Sequence, residues 1–206
     1  PDIVFHLAAQ PLVRESYINP RITWETNVMG TVNLLEAIGN LKYCSVVIIT
    51  TDKVYENQAK QKNYKENDLL GGDDPYSSSK AAVELLVRSW RKSFYDDNIK
   101  ISTARAGNVI GGGDWAKDRI VPDTVNSLIK NISLKIRYPE AVRPWQHVLD
   151  PLWGYMCLAK KQIKGQTSYE YNFGPNLMDT VSVRKLVNNI SKEWGKTIEI
   201  EKLENQ

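Results

Sequence analysis

The chain has 206 residues, 42% of them hydrophobic, and a formal net charge of only +3. This length fits one domain, or one domain with part of a second. The small, scattered positive charge argues against a nucleic-acid partner, and no apolar run is long enough to span a membrane. Two cysteines outside any CxxC pattern, and no signal peptide, predict a cytoplasmic protein without a disulfide framework. No motif predicts a metal site.

Predicted strands and helices alternate from the start of the sequence. Residues 3–8 form a short apolar run, which predicts a strand buried on both faces. Helical spacing covers residues 19–41, and the β-branched run at residues 45–50 predicts a second buried strand. Residues 52–74 are polar and rich in Gly and Asp, which indicates a loop. A long loop directly after a buried strand is typical of a functional segment.

The alternation continues to the end of the chain. Helices are predicted for residues 75–95, 119–130, 151–163 and 181–194, and strands for residues 101–110, 168–173 and 197–202. The pattern predicts an α/β fold with a Rossmann-type, doubly wound parallel sheet. We expect residues 1–110 to be the C-terminal part of this domain. Residues 111–206 are expected to form mostly a smaller α/β substrate-binding region, with some segments returning to the sheet.

The start of the sequence lies in a predicted strand that is already under way, so the sequence reads as a fragment of a longer protein. Parallel sheets bind ligands at the carboxyl ends of their strands. Three segments follow the predicted strands and are expected to converge on one crevice. They are Ala8-Ala9-Gln10, Thr50-Thr51-Asp52-Lys53 and Gly107-Asn108.

Tyr76 and Lys80 are four residues apart in a predicted helix and therefore share one face. A phenol is a weak base at neutral pH because its usual pKa is about 10, but a neighbouring ammonium favours the phenolate. Tyr76 is therefore a candidate general base for a hydroxyl proton. Asn27 lies within a predicted helix, where Asn is unfavourable, which predicts a polar contact to a neighbouring loop.

A strand-end Thr51 followed by Tyr76 and Lys80 resembles the short-chain dehydrogenase/reductase family. His6-Leu7-Ala8-Ala9 and residues 27–31 resemble its extended branch, which acts on sugar nucleotides. The resemblance implies a homodimer or higher oligomer, formed through a four-helix bundle of the helices at residues 20–40 and 76–95. It also implies NAD as cofactor, bound by Leu7, Ala8, Ala9, Thr50, Tyr76 and Lys80.

The Gly-rich GxxGxxG turn expected of that family is absent, because residues 111–113 follow a different strand. An acid after the strand-end threonine resembles the 4,6-dehydratases of the family. There, hydride leaves sugar C4 for NAD, water is eliminated across C5–C6, and the hydride returns to C6. The resemblance makes Thr51, Asp52, Lys53, Tyr76 and Lys80 the catalytic candidates, with Asp52 protonating the C6 hydroxyl.

Lys53 stands where related dehydratases carry a glutamate base. It is the base, the residue that places a water, or the charge partner of Asp52. The segment at residues 51–57, together with Tyr76, favours the branch that acts on CDP-glucose over the inverting UDP-N-acetylglucosamine branch, which usually has Met in place of this tyrosine. Residues 108–115 and 143–148 resemble the same branch.

The resemblance makes Asn108, Trp115, Arg119 and Arg143 the substrate-binding candidates. Arg14 and Arg105 are two further arginines whose planar guanidinium suits a diphosphate. The implied pathway is deoxysugar synthesis, as for lipopolysaccharide O-antigen. Two alternatives stay open: a sugar-nucleotide epimerase or UDP-sugar dehydratase, and a non-catalytic relative that binds sugar nucleotide without turnover.

Overall fold

The computed structural model describes residues 1–56, 64–95, 97–166, 169–176 and 180–203. The chain forms two compact units. The first comprises residues 1–107 and 150–173, and the second comprises residues 108–149 and 174–206. Across the described ranges, no helix combines the length and apolar character needed to cross a membrane.

Elements are numbered in chain order. The helices are α1 (Val13–Ile18), α2 (Pro20–Trp24), α3 (Gly30–Ile38), α4 (Pro75–Ser93), α5 (Ile120–Lys130), α6 (Leu149–Ile163) and α7 (Val183–Trp194). A π-helical turn, Glu25–Met29, joins α2 to α3, and a 3₁₀ turn spans Asp52–Val54. The strands are β1 (Ile3–His6), β2 (Cys44–Ile49), β3 (Ile99–Ala106), β4 (Asn108–Ile110), β5 (Leu134–Ile136), β6 (Val142–Arg143), β7 (Trp145–His147), β8 (Glu170–Phe173), β9 (Val181–Ser182) and β10 (Ile200–Lys202).

The first unit is built on a four-stranded sheet in the order β1-β2-β3-β8, and every neighbouring pair is parallel. The predicted Rossmann-type α/β fold is confirmed. The expectation that the first strand is buried on both faces is wrong, because Phe5 is 38% exposed. β1 lies at the edge of the described sheet and ends at His6, two residues earlier than predicted.

The helix predicted for residues 19–41 is a continuous helical run that ends at Ile38, but its middle turn is π-helical rather than α-helical. Helix α4 begins where the sequence predicted. Pro75 occupies its first turn, and the Asp74 carboxylate caps it by accepting the Ser77 N–H at 2.9 Å.

One face of the sheet carries the hydrophobic core of the first unit. Leu35 and Ile38 of α3 and Val83 and Val87 of α4 pack in one buried cluster with apolar side chains of β2 and β3. These helix residues recur at three- and four-residue spacing, which gives each helix one apolar stripe toward the sheet.

Helix α6 covers the sheet through a buried polar contact. The Gln162 side chain is fully buried and donates to Val46 O at 3.1 Å and to the Ser102 hydroxyl at 2.9 Å. Its amide oxygen accepts the Ser45 hydroxyl at 2.5 Å. One glutamine thereby satisfies polar groups on two adjacent strands.

The described residues of the second unit form three two-stranded sheets: β4 with β7 and β5 with β10, both parallel, and β6 with β9, antiparallel. The predicted strand at residues 101–110 is two strands, β3 and β4, which divide at Gly107 and join different sheets. Helix α7 begins at Val183 rather than residue 181, because the Ser182 side chain caps it by accepting the Lys185 N–H. β5, β6, β7 and β9 were not predicted, since two or three residues carry no clear periodicity.

Gln162→Leu should lower the free energy of unfolding by about 3 kcal/mol, because it removes the buried hydrogen bonds that the glutamine makes with the Ser45 and Ser102 hydroxyls and with Val46 O. Denaturant unfolding measures the change. Adding Ser45→Ala and Ser102→Ala should restore most of the loss, since removing both partners of a buried hydrogen bond is nearly neutral. The exposed Gln166→Leu is the matched control. A triple variant no more stable than Gln162→Leu alone would contradict the assignment.

Candidate active site

The carboxyl end of β2 carries a short turn with two charged side chains. Thr51 has extended backbone angles, and its hydroxyl accepts the Lys53 N–H at 3.4 Å, which caps the Asp52–Val54 turn. Asp52 Oδ1 accepts the Thr51 hydroxyl at 3.1 Å and lies 3.2 Å from Lys53 Nζ. Thr51 is buried, whereas the Asp52 and Lys53 side chains are partly open to solvent. The ion pair is therefore screened and holds its partners only weakly.

Lys80 lies at the same strand end. Its ammonium donates to Ile49 O at 3.0 Å, and the side chain is buried. Burial lowers the pKa of Lys80 to about 8, with the Glu84 carboxylate opposing the shift. Tyr76 is also buried and lies one helical turn before Lys80 on α4, which packs against the Asp52–Val54 turn. The structure thus brings Lys80 to the segment that contains Thr51 and Asp52.

The backbone of Tyr76 is held from two sides. Its N–H donates to the Ser16 hydroxyl of α1 at 3.2 Å, and its carbonyl accepts the Ser79 hydroxyl at 2.7 Å. Asn27 Nδ2 in turn donates to Ser79 Oγ at 2.9 Å. The Asn27 amide also pairs with the backbone of Gln10, accepting its N–H at 2.8 Å and donating to its carbonyl at 3.2 Å. The polar contact predicted for Asn27 is confirmed, and it joins the segment after β1 to α4.

The NAD-binding candidates lie at the ends of β1 and β2. Leu7 and Ala8 are exposed and Ala9 is partly exposed. The Thr50 hydroxyl donates to Glu84 at 2.5 Å, so this hydroxyl is already committed within the protein. His6 at the end of β1 lies 3.2 Å from the Thr31 hydroxyl through Nε2. Burial, and secondly the Lys80 charge, lower the pKa of His6.

Arg105 does not face a diphosphate, and that expectation is wrong. The side chain is 3% exposed, and its Nε and Nη2 donate to Glu84 at 3.0 and 2.8 Å. Sequence analysis overlooked Glu84 and its ion pair with Arg105, and it assigned Tyr55 no role of its own. The available signal was that Arg105 lies in a predicted buried strand and Glu84 on the buried face of a predicted helix. Charged residues are rarely buried unless they are paired, so this pattern could have predicted an ion pair.

Four substrate-binding candidates lie in the second unit. Asn108 begins β4, and in the described part of the chain its buried Oδ1 has no hydrogen-bond partner. Arg119 is paired with Asp114 at 3.2 Å, and Trp115 is exposed. Arg143, on β6, lines a cavity of about 470 Å³ together with other residues of the same unit, namely Arg137, Tyr138, Pro139, Glu140, Ala141 and Lys202. Asn57, the last residue of the segment at 51–57, lies outside the described residues.

The site combines a parallel sheet, a threonine (Thr51) at the end of a strand, and a helix that carries Tyr76 and Lys80. This combination defines a Rossmann-type protein of the short-chain dehydrogenase/reductase kind. The family model described as GDP-mannose 4,6 dehydratase matches residues 1–206. The chain therefore belongs to the GDP-mannose 4,6-dehydratase family.

Individual relatives agree with this assignment. The CDP-glucose 4,6-dehydratase of Salmonella typhimurium is 47% identical over 206 residues, covering 95% of this chain and 57% of that protein. The dTDP-D-glucose 4,6-dehydratase of Dictyostelium discoideum is 30% identical over 202 residues, covering 92% of this chain and 45% of that protein. The chain thus spans roughly half the length of these two curated relatives.

Solved structures share the fold. A dTDP-glucose 4,6-dehydratase from Streptomyces venezuelae, with NAD and TYD bound, superposes with a TM-score of 0.86 at 25% identity and covers 100% of this chain and 61% of its own. The UDP-glucuronic acid 4-epimerase of Bacillus cereus, in complex with UDP-glucuronic acid and NAD, gives a TM-score of 0.87 at 25% identity, with 99% and 63% coverage.

The lowered pKa of Lys80 predicts a pH dependence of stability. Unfolding returns the lysine pKa to its ordinary value, 10.5, so between pH 8 and pH 10.5 the unfolded state binds more protons than the folded state. The cost of burying the charge is fully present below pH 8 and is relieved as pH rises through this window. Relative to Lys80→Met, the parent should gain about 3 kcal/mol between pH 7 and 10.5.

Denaturant titrations of both proteins, without cofactor, at a series of pH values measure this gain. Lys92→Met, which removes an exposed lysine of the same helix, is the control for losing a charge. A stability difference between parent and Lys80→Met that stays constant over the whole range would show that Lys80 keeps an ordinary pKa.

Proposed function

We propose that the whole protein is an NAD-dependent 4,6-dehydratase of a nucleotide sugar, and that its substrate is CDP-glucose. The observation that carries the proposal is the carboxylate of Asp52 at the carboxyl end of β2, directly after the buried Thr51. An oxidation at C4 alone needs no acid in this position, whereas the loss of water does. The 47% identity to a CDP-glucose 4,6-dehydratase supports the choice of substrate.

The residues at the sheet edge fit NAD. In the part of the chain that the structure describes, the buried Lys80 ammonium uses one of its three N–H donors on Ile49 O, which leaves donors for ribose hydroxyls. Leu7, Ala8 and Ala9 follow β1, where the small side chains of Ala8 and Ala9 admit a flat ring. Tyr76 completes the set together with Thr50, which would contact NAD through its backbone because its hydroxyl donates to Glu84. When bound, NAD would accept a hydride from sugar C4 and later return it to C6.

Tyr76 and Lys80 serve the oxidation. The phenolate oxygen of Tyr76 takes the proton of the C4 hydroxyl, and the neighbouring Lys80 charge favours that phenolate. The Thr51 hydroxyl, which donates to Asp52 in the free protein, turns to the same sugar hydroxyl. Two groups then orient the C4 oxygen while its carbon is oxidised.

Asp52 and Lys53 serve the elimination. Hydroxide is a poor leaving group, so the C6 oxygen needs a proton as it departs, and Asp52 supplies that proton. The C6 hydroxyl takes the Asp52 proton and departs as one water, while the C5 proton passes to solvent water, from which Asp52 later regains a proton. Of the three roles considered for Lys53, the charge partner fits best, since its Nζ lies 3.2 Å from Asp52 Oδ1.

Nucleotide recognition is assigned to the second unit. Arg143 suits a phosphate because its guanidinium is planar and lines a cavity with two further cations, Arg137 and Lys202. The Oδ1 of Asn108 has no hydrogen-bond partner among the described residues and can accept a sugar hydroxyl. Arg119 and the exposed Trp115 complete the proposed set, with the indole available for stacking.

The proposal extends to cell compartment and pathway. Cys44 and Cys157 are free thiols, which fits a reducing compartment and hence the cytoplasm. The 4-keto-6-deoxy product suits deoxysugar synthesis, for example for lipopolysaccharide O-antigen.

Asp52→Asn should separate the two halves of the reaction. With CDP-glucose, the variant should reduce bound NAD at close to the parent rate, and then stall because the leaving hydroxyl receives no proton. Reduced nicotinamide should accumulate, with turnover down by about 100-fold or more. Stopped-flow absorbance and product analysis by NMR measure the two steps.

Tyr76→Phe is the companion variant, since it should bind substrate and show no reduction of NAD. Parallel reactions with UDP-N-acetylglucosamine and dTDP-glucose test the choice of nucleotide. Turnover of CDP-glucose by Asp52→Asn at the parent rate would remove the basis of the proposal, and a parent inactive on CDP-glucose but active on a UDP-sugar would support the alternative substrate.

A homodimer through α2, α3 and α4 is the proposed assembly. Exposed apolar side chains lie on these helices and the π turn between them, at Ile22 (54%), Met29 (51%) and Leu85 (56%). Multi-angle light scattering should give a dimer at micromolar concentration, and Ile22→Lys should raise the dissociation constant by at least tenfold. Ile129→Lys, at an equally exposed isoleucine (52%) of α5, should leave the dimer intact. A monomeric parent would refute the assembly.

A further inference from the structure

We infer that Tyr55 and Arg105 are positioning residues for the elimination step, acting through a buried hydrogen-bond network that fixes both ends of the Asp52–Val54 turn. The inference rests on the proposed function, because it assigns to this network the placement of Asp52. Neither residue is assigned a contact with the reacting sugar atoms. They act by holding the segment that contains Asp52.

The network begins at Glu84, one helical turn after Lys80. Its carboxylate is buried and accepts four hydrogen bonds: from the Thr50 hydroxyl at 2.5 Å, the Thr103 hydroxyl at 2.7 Å, and Arg105 Nε and Nη2 at 3.0 and 2.8 Å. Thr50 immediately precedes Thr51 and Asp52. Thr50, on the N-terminal side of the turn, is therefore hydrogen-bonded to the Glu84–Arg105 ion pair.

Arg105 also holds the residue on the C-terminal side of the turn. Its Nη1 donates to the Tyr55 hydroxyl at 2.9 Å and to Glu66 O at 2.9 Å, and its guanidinium lies 5.1 Å from the centre of the Tyr55 ring. Tyr55 directly follows the turn. All three guanidinium nitrogens are thus engaged, two with Glu84 and one with the segment after the turn.

A third set of contacts holds Tyr55 in place. Its hydroxyl donates to Asn172 Oδ1 of β8 at 2.6 Å, and its ring stacks on Tyr64 with centroids 4.7 Å apart. Asn172 also donates from its backbone N–H to Glu66 Oε1 at 2.9 Å and from Nδ2 to Tyr64 O at 3.1 Å. The Tyr55 hydroxyl is therefore both an acceptor from Arg105 and a donor to Asn172.

The Asp52 side chain has weaker restraints of its own. Among the described residues, its hydrogen bonds are to the adjacent Thr51 and Lys53, which move with it, and the ion pair to Lys53 is partly solvated. Its position relative to the sugar therefore depends on where the two ends of the turn are held. Lys80 is held separately by Ile49 O, so a change at Tyr55 should affect elimination more than oxidation.

Tyr55→Phe tests this inference in the whole protein. The variant keeps the ring and its stacking but removes the hydroxyl that joins Arg105 to Asn172. With CDP-glucose we expect reduction of NAD within about twofold of the parent, an unchanged KM, and dehydration slowed by about tenfold, because small displacements of a reacting group are costly. Reduced nicotinamide should accumulate, and exchange of the C5 proton with solvent should slow in parallel.

Tyr155→Phe is the matched control. Tyr155 is as buried as Tyr55, at 5% exposure, but its ring packs edge-on against Phe173, 5.3 Å away, and it takes no part in the network described above. Both steps should proceed in this variant at the parent rate. Thermal unfolding of both variants identifies any loss that comes from stability alone, and intact NAD reduction in Tyr55→Phe shows that its site is folded.

The outcomes separate the inference from the proposed function. If the parent dehydrates CDP-glucose and Tyr55→Phe does so equally fast, the positioning role is wrong and the proposed function stands. If Tyr55→Phe slows oxidation and elimination by the same factor, the network is only structural, and the inference is again overturned. A parent that neither reduces NAD nor forms product with any sugar nucleotide refutes the proposed function, and the inference with it.

Discussion

A carboxylate with almost no access to water sets the geometry of the first unit. Glu84 can remain charged in the interior only because hydroxyls and a guanidinium from β2 and β3 donate to it. Helix α4 consequently has one register against the ends of these strands. That register brings Lys80, one turn earlier, to the carbonyl of Ile49. Sliding the helix by one residue would leave two buried charges unpaired, which is among the costliest changes a protein can undergo.

Much of this arrangement could be predicted because it is local. Strand–helix alternation predicts a parallel sheet, and in parallel sheets the carboxyl ends of neighbouring strands lie at one edge. Four-residue spacing puts Tyr76 and Lys80 on one face of a helix without knowledge of any tertiary contact. The sequence therefore indicated that Tyr76 and Lys80 lie on the same face of α4, and it placed the start of that helix at Pro75, where the structure has it.

Contacts between distant residues were beyond the reach of the same reasoning. Arg105 was considered for a diphosphate, because the sequence around it does not indicate that Glu84, 21 residues away on another element, is its partner. β6 and β9, of two residues each, exist only because they pair with one another. The exposure of β1 depends on which strands lie beside it, and periodicity describes a strand but not its neighbours.

The π turn at Glu25–Met29 makes the length of this helical run as important as its composition. A π turn holds one residue more than an α turn, so α2 is rotated by about 100° from where an unbroken α-helix would put it. Removing a residue there would swing Thr23 away from Gln10 and withdraw the Asn27 amide from the segment after β1. Point changes alter one contact at a time, whereas a single insertion or deletion would misalign every contact upstream of it. We therefore expect homologous proteins to differ in the residue types of this helical run but to keep the same number of residues in it.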